Sequence, residues 1–195
     1  TDFEYIGLVA DVPMTLIAKE KFPAKDFKEL LAYVKANKDK VTLANAGLGA
    51  ASHLCGLLFM SAIEADLTTV PYKGTGPAMN DMLGGQVDLM CDQTTNTTGQ
   101  IKNGKVKVYA VTSKTRVPSL KDVPTLQELG LKGFEVAVWH AIYAPKGTPK
   151  PALDALVAAL QVALKDANVK LRLADLGTEP VAQERATPQA LQAHL

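Results

Sequence analysis

An α/β fold, with parallel-rich sheets flanked by helices, follows from three features of this 195-residue sequence. Short runs of β-forming residues alternate with segments of helical periodicity, the spacing between runs fits crossover helices, and small-residue turns stand where such strands would end. Each element has its own warrant. FEYIGLVA and VPMTLIA, between Phe3 and Ala18, read as two extended stretches broken by Asp11 and Pro13. Phe27, Leu30, Leu31 and Val34 fall at i, i+3, i+4 and i+7 behind a cap at Asp26, which predicts a helix ending near Asn37. VTLA at 41–44 is a buried strand leading into the turn Asn45-Ala46-Gly47-Leu48-Gly49, and Leu54, Leu57, Leu58 and Ala62 mark the face of the next helix. LTTV at 67–70 is a strand. Pro77 then opens a short helix at its first position, with Met79, Met82 and Leu83 inward and Gly84-Gly85 as its stop. VDLMC at 87–91 and VKVYAVT at 106–112 are further strands, and the polar stretch 92–104 between them has too few apolar residues to be placed. Thr125-Leu126-Gln127-Glu128 fits a capping box for a short helix ended by Gly130.

EVAVWHAIYAP at 135–145 is the longest extended run, and Thr148-Pro149 opens a helix with Leu153, Leu156, Val157, Leu160 and Leu164 on one face. Further helices are expected around 169–176 and from Thr187-Pro188, the latter carrying Leu191 and Leu195. Three helices with hardly a strand among them need a sheet to cover. The simplest expectation is that a segment before Thr1 supplies it and that the chain is the later part of a larger protein; a helical cap on the first sheet fits as well.

Charge and cysteine usage narrow the function. Lys and Arg number 21 against 20 Asp and Glu, a net charge of +1 with no basic block, which excludes a nucleic-acid or anionic-membrane surface. No run of 18 apolar residues is present, so no segment reads as a membrane span. The sequence opens on Thr1 without a charged and apolar leader, so a targeting peptide is either removed or lies outside the chain. Cys55 and Cys91 form neither a disulfide framework nor a CxxC pair, and whether they are bonded to each other stays open.

Ligands of open parallel sheets bind beyond the carboxyl ends of strands, so the loops after the predicted strands come first. Gly47 and Gly49 allow φ > 0 and a close backbone approach, and the following helix presents unpaired N–H groups to an anion, most simply a carboxylate. A tight turn using glycine for geometry alone is the competing reading. Ser52 and His53 either donate to that anion, or cap the helix and pack under the loop. A Ser/His hydrolase would need a base and an orienting acid, yet the G-x-S-x-G elbow is absent. A zinc site from His53, Cys55, Cys91 and Asp92 has suitable ligand types at unmatched spacing. Pro71-Tyr72-Lys73-Gly74-Thr75-Gly76 lacks the Walker spacing, leaving Lys73 as a charge near a cleft or a solvated loop residue. Asp92 stands just past a strand, to accept from a ligand or cap a helix, and Trp139 and His140 line a cleft or pack in the core.

The run PYKGTGPAMNDMLGGQVDLMCD, from Pro71 to Asp92, resembles the signature of the solute-binding proteins of tripartite tricarboxylate transporters, the TctC or Bug family. The loop Asn45 to Ala50 is similar to the family's S-A-G-x-G-T, the pair His53-Leu54 follows it, and the segments at 110–130 and 139–149 resemble later landmarks, so that the likeness covers essentially the whole chain. The resemblance implies a two-lobed periplasmic-binding-protein-like fold, with 1–10 and 134–195 belonging to lobe 1, whose N-terminal part is absent, and 11–133 forming lobe 2. It also implies a periplasmic, monomeric, non-enzymatic receptor without cofactor or metal. Such a receptor captures a small organic carboxylate between its lobes, closes on it and delivers it to permease subunits of the transporter. The ligand-binding residues expected on this basis are Asn45, Gly47, Leu48, Gly49, Ala50, Ala51, Ser52, His53, Tyr72, Lys73, Asp92 and Trp139. Three departures stand out: Ala50 replaces the family's usual Thr or Ser, Asn45 a common Ser, and Cys91 a usual aromatic. Alternatives are an α/β hydrolytic enzyme using Asp92 or a histidine, and a sensory domain for the same ligands.

Overall fold

The computed structural model describes residues 2–195. The chain runs through strand β1 (Phe3–Lys19), helix α1 (Phe27–Asn37), β2 (Thr42–Asn45), α2 (Ala51–Ile63), β3 (Thr68–Pro71), α3 (Thr75–Leu83), β4 (Leu89–Gln93), α4 (Thr94–Lys102) and β5 (Val106–Val111). It continues through β6 (Ala137–Pro145), α5 (Lys150–Ala163), α6 (Ala167–Asp175), the short β7 (Glu179–Pro180) and α7 (Pro188–His194). Two compact units result: one is Pro13–Ala137, and the other joins the segment ending at Val12 to Val138–Leu195.

The unit Pro13–Ala137 is built on a mixed sheet in the order β3-β2-β4-β1-β5. β2 pairs in parallel with both β3 and β4, whereas β1 is antiparallel to β4 and β5. Alternate residues of each strand face opposite sides, as the period of two requires. Leu16, Ala18, Leu43 and Leu89 join Phe27, Leu30, Val34 and Phe59 of α1 and α2 in one cluster. Ile17, Ala44 and Met90 join Ala78, Met79 and Met82 of α3 in another. In the other unit the sheet is β1 with β6 and the antiparallel β7. Ile6 and Leu8 pack there with Ala144, Leu160, Leu164, Val181 and Leu191.

Several expectations change. The two stretches around Asp11 and Pro13 are one strand, because Pro13 lies where β1 leaves β7 (Asp11↔Glu179) and begins to pair with β4 (Met14↔Gln93), a position where its missing N–H breaks no ladder. α3 begins two residues before the expected Pro77, which sits in the first turn where no amide has an intrahelical partner. The unplaced stretch after β4 holds α4. At Thr125–Glu128 the capping box forms, Glu128 N–H donating to Thr125 Oγ1 (3.1 Å) and Thr125 N–H to Glu128 Oε2 (3.2 Å). No helix follows it: Gly130, at φ 102°, turns the chain out after a single turn. On α2 the expected face is reversed. Leu54, Leu57 and Leu58 are exposed, and Ser52, Cys55, Gly56, Phe59, Met60 and Ile63 are buried. α2 is apolar nearly all round, so its pattern does not choose a face; small residues do, since a Cβ on Gly56 would stand 2.9 Å from Leu43 Cδ2.

Candidate functional site

The site grows out of the carboxyl ends of the three parallel strands. The ladders set Asn45 of β2 opposite Pro71 of β3, and Ala44 opposite Met90 of β4, so the loops that follow lie side by side. Two backbone hydrogen bonds tie the first two loops together, Tyr72 N–H to Asn45 O (2.9 Å) and Gly74 N–H to Ala46 O (3.0 Å). Gly47 has φ 124° and Gly49 φ 79°, and a Cβ on Gly47 would stand 3.1 Å from Tyr72 O. Only glycine fits such a backbone beside a neighbouring carbonyl.

Each parallel strand leads into a helix, β2 and β3 through short loops and β4 directly. α2 starts behind Ala50, α3 behind Gly74 and α4 behind Gln93, and none of the three has a side-chain cap hydrogen bond. α1, α6 and α7 are capped instead by Asp26, Asp166 and Thr187, and α5, in the other unit, begins behind Pro149 without a side-chain cap. The contrast follows from sequence, since Ala50 and Gly74 carry no acceptor. The starts of α2 and α3 therefore offer first-turn amides and the positive ends of their dipoles to an anion, with the positive end of the α4 dipole beside them.

The named side chains support this surface rather than crowd it. Asn45 is buried and its Oδ1 accepts from Gly47 N–H (3.0 Å). Ser52 is buried too, and its Oγ accepts from Ala46 N–H (2.8 Å), so its hydroxyl shapes the loop from beneath. His53 Nδ1 accepts from Gly49 N–H (3.2 Å), which leaves a proton on Nε2 in the neutral ring. Leu48 and Lys73 are exposed, and Ala50 and Ala51 form the N-cap and first position of α2. Tyr72 directs its hydroxyl to Asp81 Oδ2 (2.7 Å), a hydrogen bond that, with burial and the Asp81 charge, pushes its pKa up to about 12. Trp139 belongs to the other unit, where its ring meets His194 edge-on at 5.1 Å.

Asp92 lies inside β4 rather than past it, and is 1% exposed. Burial raises its pKa against the opposing pull of Gln93 N–H (2.8 Å to Oδ1), the Thr75 hydroxyl and the Asn96 amide. Its carboxylate thus knits the first turns of α3 and α4 together from behind. Thr75 and Asn96, which hold the Asp92 carboxylate, are not singled out by the sequence reading. The signal was the run of polar residues directly after a strand's carboxyl end.

The Ser52/His53 hydrolase and zinc alternatives fail on geometry. Ser52 hydrogen-bonds a backbone amide and His53 a different one, so neither activates the other. Cys55 and Cys91 are joined in a disulfide with Cα atoms 6.0 Å apart, which removes both thiolates from the zinc alternative.

A mixed sheet with helices on both faces, and helix starts without side-chain caps at the ends of its parallel strands, is shared with periplasmic binding proteins. Within that class the chain belongs to the TctC family, whose model, the tripartite tricarboxylate transporter family receptor, matches residues 1–193. A UPF0065 protein encoded in the TAR-I ttuE-ttuC' intergenic region of Agrobacterium vitis is 54% identical over 190 residues, 97% of this chain and 55% of that protein. The structure of the periplasmic binding protein BugD matches with a TM-score of 0.94 and 61% identity, over 98% of this chain and 64% of that one. MatC from Rhodopseudomonas palustris, solved with bound malate, matches with a TM-score of 0.92 and 40% identity over 100% of this chain and 66% of that one. The chain thus spans a little over half the length of its curated relative and about two thirds of these structures. The family and its solved neighbours are binding proteins rather than enzymes.

Proposed function

We propose that this chain is part of a periplasmic receptor that captures a small organic dicarboxylate, of the size of malate, and delivers it to the permease of a tripartite tricarboxylate transporter, acting as a monomer. The observation that carries the reading is the pair of neighbouring helix starts, α2 and α3, that lack side-chain caps, set on adjacent parallel strands whose loops are hydrogen-bonded together. A ligand carboxylate there accepts the first-turn amides of Ala51, Ser52 and His53 and gains from the helix dipoles. Lys73 adds a nearby cation, and Asn45, Ser52 and Asp92 fix the backbone behind. The malate-bound neighbour supports the ligand class.

A disulfide favours an oxidising compartment, in keeping with a periplasmic location. Among the described residues no helix is long and apolar enough to cross a membrane. Calorimetric titration of the protein, with any flanking sequence it naturally carries, against malate, longer α,ω-dicarboxylates, lysine and a neutral sugar tests the reading. Saturable binding of dicarboxylates alone is expected. Binding of lysine or the sugar with no response to any carboxylate would overturn it.

A further inference from the structure

α2 is anchored unevenly along its length. Its second half buries Phe59, Met60 and Ile63 in the cluster that contains Phe27, Leu30 and Leu43. Its first half buries only Ser52, Cys55 and Gly56, while Leu54, Leu57 and Leu58 are exposed at 51%, 42% and 51%. The end that carries the donor amides therefore has little apolar area to hold it down. Four contacts do so instead: the Ser52 hydrogen bond to Ala46 (2.8 Å), the His53 hydrogen bond with Gly49 (3.2 Å), the close approach of Gly56 to Leu43, and the Cys55–Cys91 bond. Cys55 lies one turn after Ser52, and Cys91 immediately precedes Asp92. The single covalent cross-link among the described residues thus joins the donor end of the helix to the strand end that bears the buried carboxylate.

We propose that the Cys55–Cys91 disulfide is a positioning element of the ligand site, holding the first turn of α2 in register with the carboxyl end of β4 in addition to stabilising the fold. The inference rests on the reading that these amides receive a carboxylate. Both sulfurs are fully buried, so the bond acts as a fixed staple rather than a surface switch. Without it the start of α2 is tied only to its own loop, by the Ser52 and His53 hydrogen bonds, and to β2 by the Gly56 contact, and its amides drift from the ligand. Losing one charge-assisted amide hydrogen bond corresponds to about tenfold in Kd.

The test compares wild type, Cys55→Ala/Cys91→Ala, and Val34→Ala, a cavity variant in α1 of the same unit that touches no site residue. L-malate is titrated calorimetrically into each well below its unfolding midpoint, and amide hydrogen exchange is followed along α2. The cysteine variant is expected to bind about tenfold more weakly, with protection lost more at Leu54–Leu57 than at Phe59–Ile63, while Val34→Ala keeps the wild-type Kd. Equal Kd values for the cysteine variant and wild type, or equal loss of protection in both halves of α2, would overturn the proposal. Cys55→Ala/Cys91→Val, which restores buried volume, replaces the first variant if that one fails to fold. If wild type binds no malate, the dicarboxylate reading fails, and the exchange profile still decides whether the staple holds the donor end.

Discussion

Replacing Gly47 by alanine isolates the geometry on which the proposed anion site depends. The new Cβ would stand 3.1 Å from Tyr72 O, and the backbone there has φ 124°, a conformation that L side chains rarely adopt. Tyr72 O has little room to yield, because hydrogen bonds at Tyr72 N (2.9 Å) and Gly74 N (3.0 Å) pin its strand to the Gly47 loop on either side. A non-glycine residue held in such a region costs about 1–3 kcal/mol, roughly 5- to 150-fold in the folding equilibrium. Gly49→Ala provides the contrast, since at φ 79° it carries the backbone penalty but meets nothing within 4 Å. Its cost should be about 1 kcal/mol. Urea unfolding of both variants, with m unchanged, should place Gly47→Ala below Gly49→Ala and both below wild type. A Gly47→Ala midpoint equal to that of wild type would refute the reasoning, because the loop would then have an alternative path that the structure does not show.

Further expectations follow from the same contacts. Ser52→Ala leaves the Ala46 amide without the acceptor it has in a buried Ser52 and should cost about 1–3 kcal/mol in urea unfolding. Removing the disulfide, which closes a separation of 36 residues, should cost about 4 kcal/mol on the chain-entropy account, read as a lowered Tm of Cys55→Ala/Cys91→Ala. The pKa of Asp92 is raised by burial, so the folded state holds its proton more tightly than the unfolded chain, and ionisation weakens the fold as pH rises from the ordinary value of 3.8 through the raised one. Asp92→Asn should flatten the pH profile of stability in that window. Asp88 has the opposite sign: burial raises its pKa, but Lys19 (2.7 Å) and the Thr42 amide and hydroxyl outweigh this and lower it. The stability it contributes is present above 3.8 and is lost as pH falls through the lowered pKa, so Asp88→Asn should remove it at neutral pH.

How much of this was legible in the sequence depended on whether a local rule had a competitor. The alternation of strands and helices from Val41 to Leu83 was readable because β2 and β3 are short runs of β-formers followed by turns that carry glycine or proline. The positive φ at Gly47 and Gly49 was likewise foreseeable, since no other residue suits that turn. α2 misled, because leucines at i, i+3 and i+4 point outward when small residues on the opposite face allow closer contact with β2. α4 was invisible to hydrophobic periodicity: its buried residues are Thr94, Thr97 and Thr98, whose polarity hides the face. Pro13 read as a break because a chain scan cannot show that the strand changes partners there. The pairing of Cys55 with Cys91 depends on α2 lying over β4, a long-range fact carried by no local motif.

The central claim is that a carboxylate is held by the first-turn amides of α2 beside those of α3, with the positive end of the α4 dipole next to them. Backbone amide NMR on titration with L-malate tests it most directly. The account predicts saturable shifts at Ala51, Ser52 and His53, with smaller ones at the starts of α3 and α4. Binding that leaves those amides unmoved and shifts resonances elsewhere would contradict it.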